Sequence, residues 1–225
     1  MKTGWLLTEA GELPEGADWL TPDETCVEQG LRCPNRRADW RLGRWTAKKA
    51  AALWLGEELP PGLFSIRPSP EGAPEVYRNG APAPLALSYS HRAGRAACAV
   101  APPGTALGCD LELIEPRTSE FLQDFFTPAE CNRVTTAPAE DRPLIANLIW
   151  SAKESALKAL RTGLRLDTWE VEVWLGNGNC RGWNALAVHR AVTGQTFHGW
   201  WRREGDCVVT MAAAPAPEAP DPLAP

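Results

Sequence analysis

Three carboxylates and one lysine, carried by two short segments, define the chemistry available to this chain. In Gly108-Cys109-Asp110-Leu111-Glu112 two acids stand one residue apart, and in Trp150-Ser151-Ala152-Lys153-Glu154-Ser155-Ala156-Leu157-Lys158 a third acid is followed four positions later by a lysine. Oxygen donors of this type suit Mg²⁺, with Mn²⁺ as a substitute, bound together with substrate phosphates. Plainer readings stand beside this one: alternating acids fit a strand with one wet face, and Glu154 with Lys158 fits a surface ion pair.

A second grouping is cationic. Arg37, Arg41, Arg44 and Lys48 follow at spacings of 4, 3 and 4, which puts them on one stripe of a helix. Most such stripes are solvated faces. Four like charges stacked without acidic partners repel one another, however, and so suit a polyanionic ligand.

The elements that must position these groups follow from pattern. Pro34-Asn35 offers a helix start, and the next twenty residues lack proline and are rich in Ala, Arg, Lys and Leu. Its apolar side is Leu42, Trp45, Leu53 and Trp54. A turn-rich connection from Pro60 to Pro84 leads to two strands, 85–91 and 96–100, joined by Arg92-Ala93-Gly94-Arg95. In the strand 107–114, Leu107, Cys109, Leu111 and Leu113 share one face, leaving Asp110 and Glu112 on the other. A second helix over 144–161, ended by Gly163, has the polar stripe Asn147, Ser151, Glu154 and Lys158. If it packs on the polar face of that strand, the three carboxylates converge. Four alternating strands, near 169–175, 183–190, 196–203 and 207–212, complete the pattern.

Composition narrows the class. The chain has 225 residues, with 23 Lys+Arg against 28 Asp+Glu and a net charge of −5, so a nucleic-acid or anionic-membrane binder is not expected. That average conceals segregation: residues 1–30 carry −6 and residues 31–50 carry +6. Seven cysteines without a C-x-x-C pair argue against a disulfide framework or a structural zinc site. No apolar run is long enough to span a membrane, and the first residues lack an apolar signal core, so a cytoplasmic location is expected. The 11 tryptophans read as core, and His189 and His198 as structural or exposed. Residues 213–225, with their repeated prolines, read as a disordered tail.

Taken in order, Arg36-Arg37 and Gly43-Arg44, Ser90-His91, the Gly108–Glu112 segment and the Trp150–Lys158 segment resemble the 4′-phosphopantetheinyl transferases of the Sfp type over roughly residues 35–161. The resemblance implies an α+β fold, a pseudo-dimer of two similar halves over 1–106 and 107–212 with the site in the cleft between them. It implies transfer of the phosphopantetheine arm of coenzyme A to a serine of an acyl or peptidyl carrier protein, of the polyketide or peptide-synthetase kind, by a monomeric enzyme. Asp110, Glu112 and Glu154 would hold Mg²⁺. Arg36, Arg37 and Arg44 would grip coenzyme A phosphates, His91 would donate to the pyrophosphate, and Ser90 would lie beside the nucleotide. Lys153 and Lys158 would touch phosphate oxygens. Glu154 would be the general base, and Lys158 a charge clamp or proton donor. Residues 115–143, with Phe121, Leu122, Phe125 and Phe126, would border the carrier groove, and Arg117 or Arg133 would face an acidic carrier at its rim.

The sequence departs from the family at one point. A cation usual near a Gly-x-Pro turn is absent from Gly72-Ala73-Pro74, where Glu71 precedes and the nearest cations are Arg67 and Arg78. Either another residue such as Arg92 substitutes, or the adenine end is held less tightly. Two readings from other classes stay open: a Mg²⁺-dependent coenzyme A hydrolase and a non-catalytic coenzyme A-binding protein.

Overall fold

The computed structural model describes residues 1–58 and 63–224. Pro60 and Gly62, two of the expected turn markers, and the final Pro225 lie outside the described residues. The fold is mixed α+β. In chain order its elements are β1 (Gly4–Glu9), α1 (Pro22–Gly30), α2 (Pro34–Leu55), β2 (Phe64–Pro68), β3 (Pro74–Arg78), β4 (Ala81–Pro82), β5 (Ala86–Arg92), β6 (Arg95–Ala101) and β7 (Ala106–Leu113), followed by α3 (Ser119–Phe125), α4 (Pro128–Thr136), α5 (Arg142–Ala159), β8 (Val171–Cys180), β9 (Trp183–Arg190), β10 (Gln195–Glu204), β11 (Cys207–Ala214) and β12 (Asp221–Pro222). One sheet runs β12-β1-β6-β5, a second β7-β11-β10-β9-β8, and β2, β3 and β4 form a small third sheet. The segment read as only turn-rich therefore contains a three-stranded sheet. Its strands are too short and too proline-bounded to announce themselves by alternation.

Three apolar clusters hold these layers. Ala47, Ala50 and Ala51 of α2 pack on the first sheet, and Ile149, Ala152 and Ala156 of α5 pack on the second. Between the sheets, Ala97 and Ala99 of β6 meet Leu107, Cys109 and Leu111 of β7. The alternation in β7 is thus realised, with its apolar face buried. At the seam β5 and β7 are bridged by side chains: the Cys109 amide donates to Ser88 Oγ at 2.9 Å.

The helix pairs α1–α2 and α4–α5 repeat one device. Thr21-Pro22-Asp23-Glu24 and Thr127-Pro128-Ala129-Glu130 each open a helix with a threonine cap, proline in the first turn and a glutamate that closes a capping box. That glutamate is buried and accepts from a lysine of the long helix, Lys48 for Glu24 and Lys153 for Glu130. Its other oxygen accepts from a strand amide, Ile66 in one case (3.0 Å) and Val173 in the other (2.8 Å). The lysines also donate to carbonyls, Lys48 to Trp19 and Lys153 to Thr168 and Val171. The sequence repeats likewise, Trp45-Thr46-Ala47-Lys48 against Trp150-Ser151-Ala152-Lys153. Thr46 bonds Thr8, and Ser151 bonds Thr210.

The proline-rich end is ordered, contrary to the expectation for 213–225. Glu218, Asp221 and Leu223 donate backbone hydrogen bonds to Met1, Thr3 and Trp5, and β12 pairs in parallel with β1. Composition predicts disorder only where no partner is available; here the free edge of β1 supplies one. All seven cysteines are free, and no described helix is long and apolar enough to cross a membrane.

Candidate active site

The site forms where α5 lies on the polar face of β7. Gly108 permits that approach, since a Cβ there would run into the carbonyl of Ser155 in the helix backbone. With the helix this close, Lys158 donates to the Cys109 carbonyl at 2.9 Å and to Asp110 Oδ1 at 2.7 Å. Ser90, at the end of β5, donates to the same Oδ1 at 2.9 Å. Gly43 does a similar service for α2, giving room to Tyr89 and His91 of β5.

Glu112 is held differently. Its Oε1 accepts from Trp150 Nε1 at 3.0 Å and its Oε2 from Arg117 at 3.1 Å. Burial, reinforced by Asp110, raises its pKa. Glu154 carries the larger perturbation: burial, then the Asp110 charge, push it up to about 7, with Glu112 adding and Lys158 opposing. Burial alone would lower the pKa of Lys158, but Asp110, with Cys109 and Glu154 adding, more than offsets this and raises it.

This arrangement fits a divalent cation bound with substrate. Asp110 Oδ2 is buried and has no hydrogen-bond partner among the described residues, and the mutual repulsion felt by Glu154 would be relieved by positive charge. Among the described residues no three His, Cys, Asp or Glu side chains are gathered into a ready-made cage. Asp110 Oδ2 has no partner among the described residues, whereas each Glu112 oxygen already accepts a hydrogen bond, from Trp150 and from Arg117.

Beside Lys158 opens a cavity of about 800 Å³, lined by cations Arg44, Arg67, Lys158, Arg161 and Arg165 and by Tyr89. Arg44 bonds the Ile66 carbonyl at 2.6 Å and stacks over Trp40, yet its buried Nε has no partner among the described residues. Of the expected cationic stripe, Arg44 alone lines this cavity. Arg37 and Arg41 pair with Glu28, and Lys48 with Glu24. The stripe is therefore not without acidic partners, as its spacing suggested: the acidic first thirty residues supply them for all but Arg44.

Several expected roles are relocated. Lys153 faces away from the cleft, wholly buried against Glu130, and cannot reach a phosphate. Ser90 orients Asp110 and does not line the cavity. Arg36 is exposed and lies outside the cavity lining. His91, at the exposed end of β5, is also outside it. Arg92 binds Glu115 at 2.9 Å, so it does not replace the missing cation near Gly72. Arg117 is tied to Glu112 and Asn147 and stacked on Phe121, and does not stand free at a rim. Phe121, Phe125 and Trp150 pack edge to face around the α3 end of the core. Asn147 and Ser151 of the supposed polar stripe are buried and satisfied inside. His189 stacks on Trp174 and contacts Thr196. Arg161, Arg165 and Tyr89 join the site without having been singled out by the motifs; the signal for the arginines is their position just after α5, within two turns of Lys158.

Residues 106–212 match the family model described as "4′-phosphopantetheinyl transferase superfamily". The chain is also 28% identical over 155 residues to the 4′-phosphopantetheinyl transferase HetI of Nostoc sp. (strain PCC 7120), a match covering 68% of this chain and 64% of the relative. The matched segment of the family model is the one that carries Asp110, Glu112, Glu154 and Lys158. Residues 106–212 are thus similar to the 4′-phosphopantetheinyl transferase superfamily, and both likenesses agree with the motifs that gather around Asp110.

Proposed function

We propose that this chain transfers the 4′-phosphopantetheine arm of coenzyme A to a serine of an acyl or peptidyl carrier protein, acting as a cytoplasmic monomer. The observation that carries the proposal is one continuous feature. Lys158 lines the cation-lined cavity and is bonded to Asp110, whose second oxygen is buried without a partner among the described residues. A cation-lined cleft suits the polyanionic coenzyme. Mg²⁺ or Mn²⁺, held by Asp110 and Glu154 with Glu112 in support, would supply charge neutralisation at the pyrophosphate.

The chain's own groups account for the rest. Arg44 binds a phosphate oxygen with the Nε that has no partner among the described residues. The carrier serine oxygen attacks the β-phosphorus, the bond to 3′,5′-ADP breaks, and the serine proton passes to Glu154. In the metal-free chain burial and the Asp110 charge push this carboxylate up to about 7, and a bound cation would lower it. Lys158, whose pKa is raised, stays charged and serves as a clamp on the departing phosphate and not as a proton donor.

The test is to incubate apo carrier proteins with coenzyme A and Mg²⁺ and to weigh the intact carrier. A carrier heavier by one phosphopantetheine, with one 3′,5′-ADP released for each, is the expected result. Release of 3′,5′-ADP with the carrier unchanged would make the chain a hydrolase, and neither product would leave a binding protein.

A further inference from the structure

The two helix repeats end in the same backbone conformation, with different residues at its left-handed position. At the end of α2, Gly56 occupies the left-handed position (φ 69°), with its amide bonded to the Leu53 carbonyl and the next amide to Ala52. At the end of α5, Arg161 occupies that place (φ 58°), its amide bonded to Lys158 and the next amide to Leu157. Glycine is the residue that adopts this conformation freely, so an arginine there is kept at a conformational cost. Its side chain reaches across the cleft towards Glu75, at 3.8 Å, with both partners substantially exposed. Arg165 follows it, donating to the Arg161 carbonyl at 2.9 Å and across the cleft to the Glu71 carbonyl at 3.2 Å.

Those contacts fall on a turn that carries no cation of its own, Arg67 of β2 being the nearest one of the N-terminal half in the same lining. Glu71, Gly72, Ala73, Pro74 and Glu75 line the same cavity as Arg161 and Arg165. Coenzyme A carries a ribose phosphate besides its pyrophosphate, and the reacting end is already served by Lys158 and Arg44. We propose that Arg161 and Arg165 anchor the ligand's non-reacting ribose phosphate, supplying from the C-terminal half the positive charge that Gly72-Ala73-Pro74 lacks. The inference rests on coenzyme A being the ligand. An exposed ion pair at 3.8 Å is worth little, and Arg165 is parked on carbonyls; a phosphate offers both forks charged acceptors of matching geometry. The pair then sets specificity: it distinguishes coenzyme A from dephospho-coenzyme A, which differs only in that phosphate.

Calorimetric titration of the full chain with each compound tests this. The wild type should prefer coenzyme A by roughly 10- to 100-fold, the worth of one or two hydrogen bonds to a charged group. Arg161→Gly, which leaves the helix end with the residue its conformation favours, combined with Arg165→Gln, should bring the ratio to within about threefold by weakening coenzyme A alone. Arg78→Gln removes one positive charge outside the cavity, where Arg78 pairs with Glu57, and should leave the ratio unchanged. An undiminished ratio in the double variant overturns the proposal, and so does an equal loss on both ligands or an equal fall in the Arg78 variant. A wild type that binds both compounds without preference overturns this inference alone, whereas a wild type that binds neither overturns the coenzyme A reading beneath it.

Discussion

The α1–α2 and α4–α5 pairs share a buried lysine–glutamate contact and diverge one residue later. In the first pair Lys49 follows Lys48 and reaches Glu12 near the surface at 3.2 Å. In the second, Glu154 follows Lys153 and enters the cleft beside Asp110, where its pKa climbs. Lys158 stands where the first repeat has Leu53, and Arg161 where it has Gly56. What the pairs have in common closes helix ends and ties them to a strand; of what they do not have in common, Lys158 and Arg161 line the cavity and Glu154 lies beside Asp110. Scaffold and chemistry are thereby told apart within one chain, without reference to any relative.

Glu154→Gln erases the most consequential of these differences. Transfer to carrier should fall by roughly 10³-fold or more in a steady-state assay, with the fold retained. Wild-type turnover in this variant would put the chemistry elsewhere. The shared device should respond in the opposite way. Lys48→Met and Lys153→Met each strand a buried glutamate and should cost about 3–5 kcal/mol in denaturant unfolding. Below the unfolding transition, Lys153→Met should leave the KM for coenzyme A unchanged; a raised KM would return Lys153 to the phosphate site.

The two halves should also part with pH. Because the folded chain holds the Glu154 proton up to about 7, above the ordinary value of 4.5, it binds more protons than the unfolded chain between those values. Stability of the metal-free protein should fall as pH rises through that window and then level, by an amount on the order of 2–3 kcal/mol. Glu154→Gln should remove that part of the slope; identical melting-temperature profiles for the two proteins would show that Glu154 is not perturbed. The smallest contrast lies within α2: Arg44→Ala should raise the KM for coenzyme A roughly tenfold, and Arg36→Ala should leave it within about twofold.

Much of this architecture is legible in the amino-acid sequence. The β7 alternation puts Asp110 and Glu112 opposite Cys109 and Leu111, and the helix period brings Glu154 and Lys158 to one face. Two kinds of information are not legible there. Periodicity reports which residues share a face and not what that face meets, so Asn147 and Ser151 look as polar as Glu154 while lying under a sheet and a loop. Pairing between distant segments is equally silent: the acids at 24 and 28 sit a turn and a helix away from the cations they neutralise, and the basic stripe looks unpartnered for that reason. Lys153 is the instructive miss, since the internal repeat with Lys48 is present in the sequence and marks it as scaffold.

Gly108 has no side chain to offer a ligand, yet it fixes the distance between carboxylates carried by β7 and α5. A saturation screen for activity would score it as intolerant as Asp110, because every side chain is excluded by the helix backbone. Such a screen would draw the boundary of the active site one residue too wide. Only a stability measurement made alongside it would show that position 108 sets spacing and performs no chemistry.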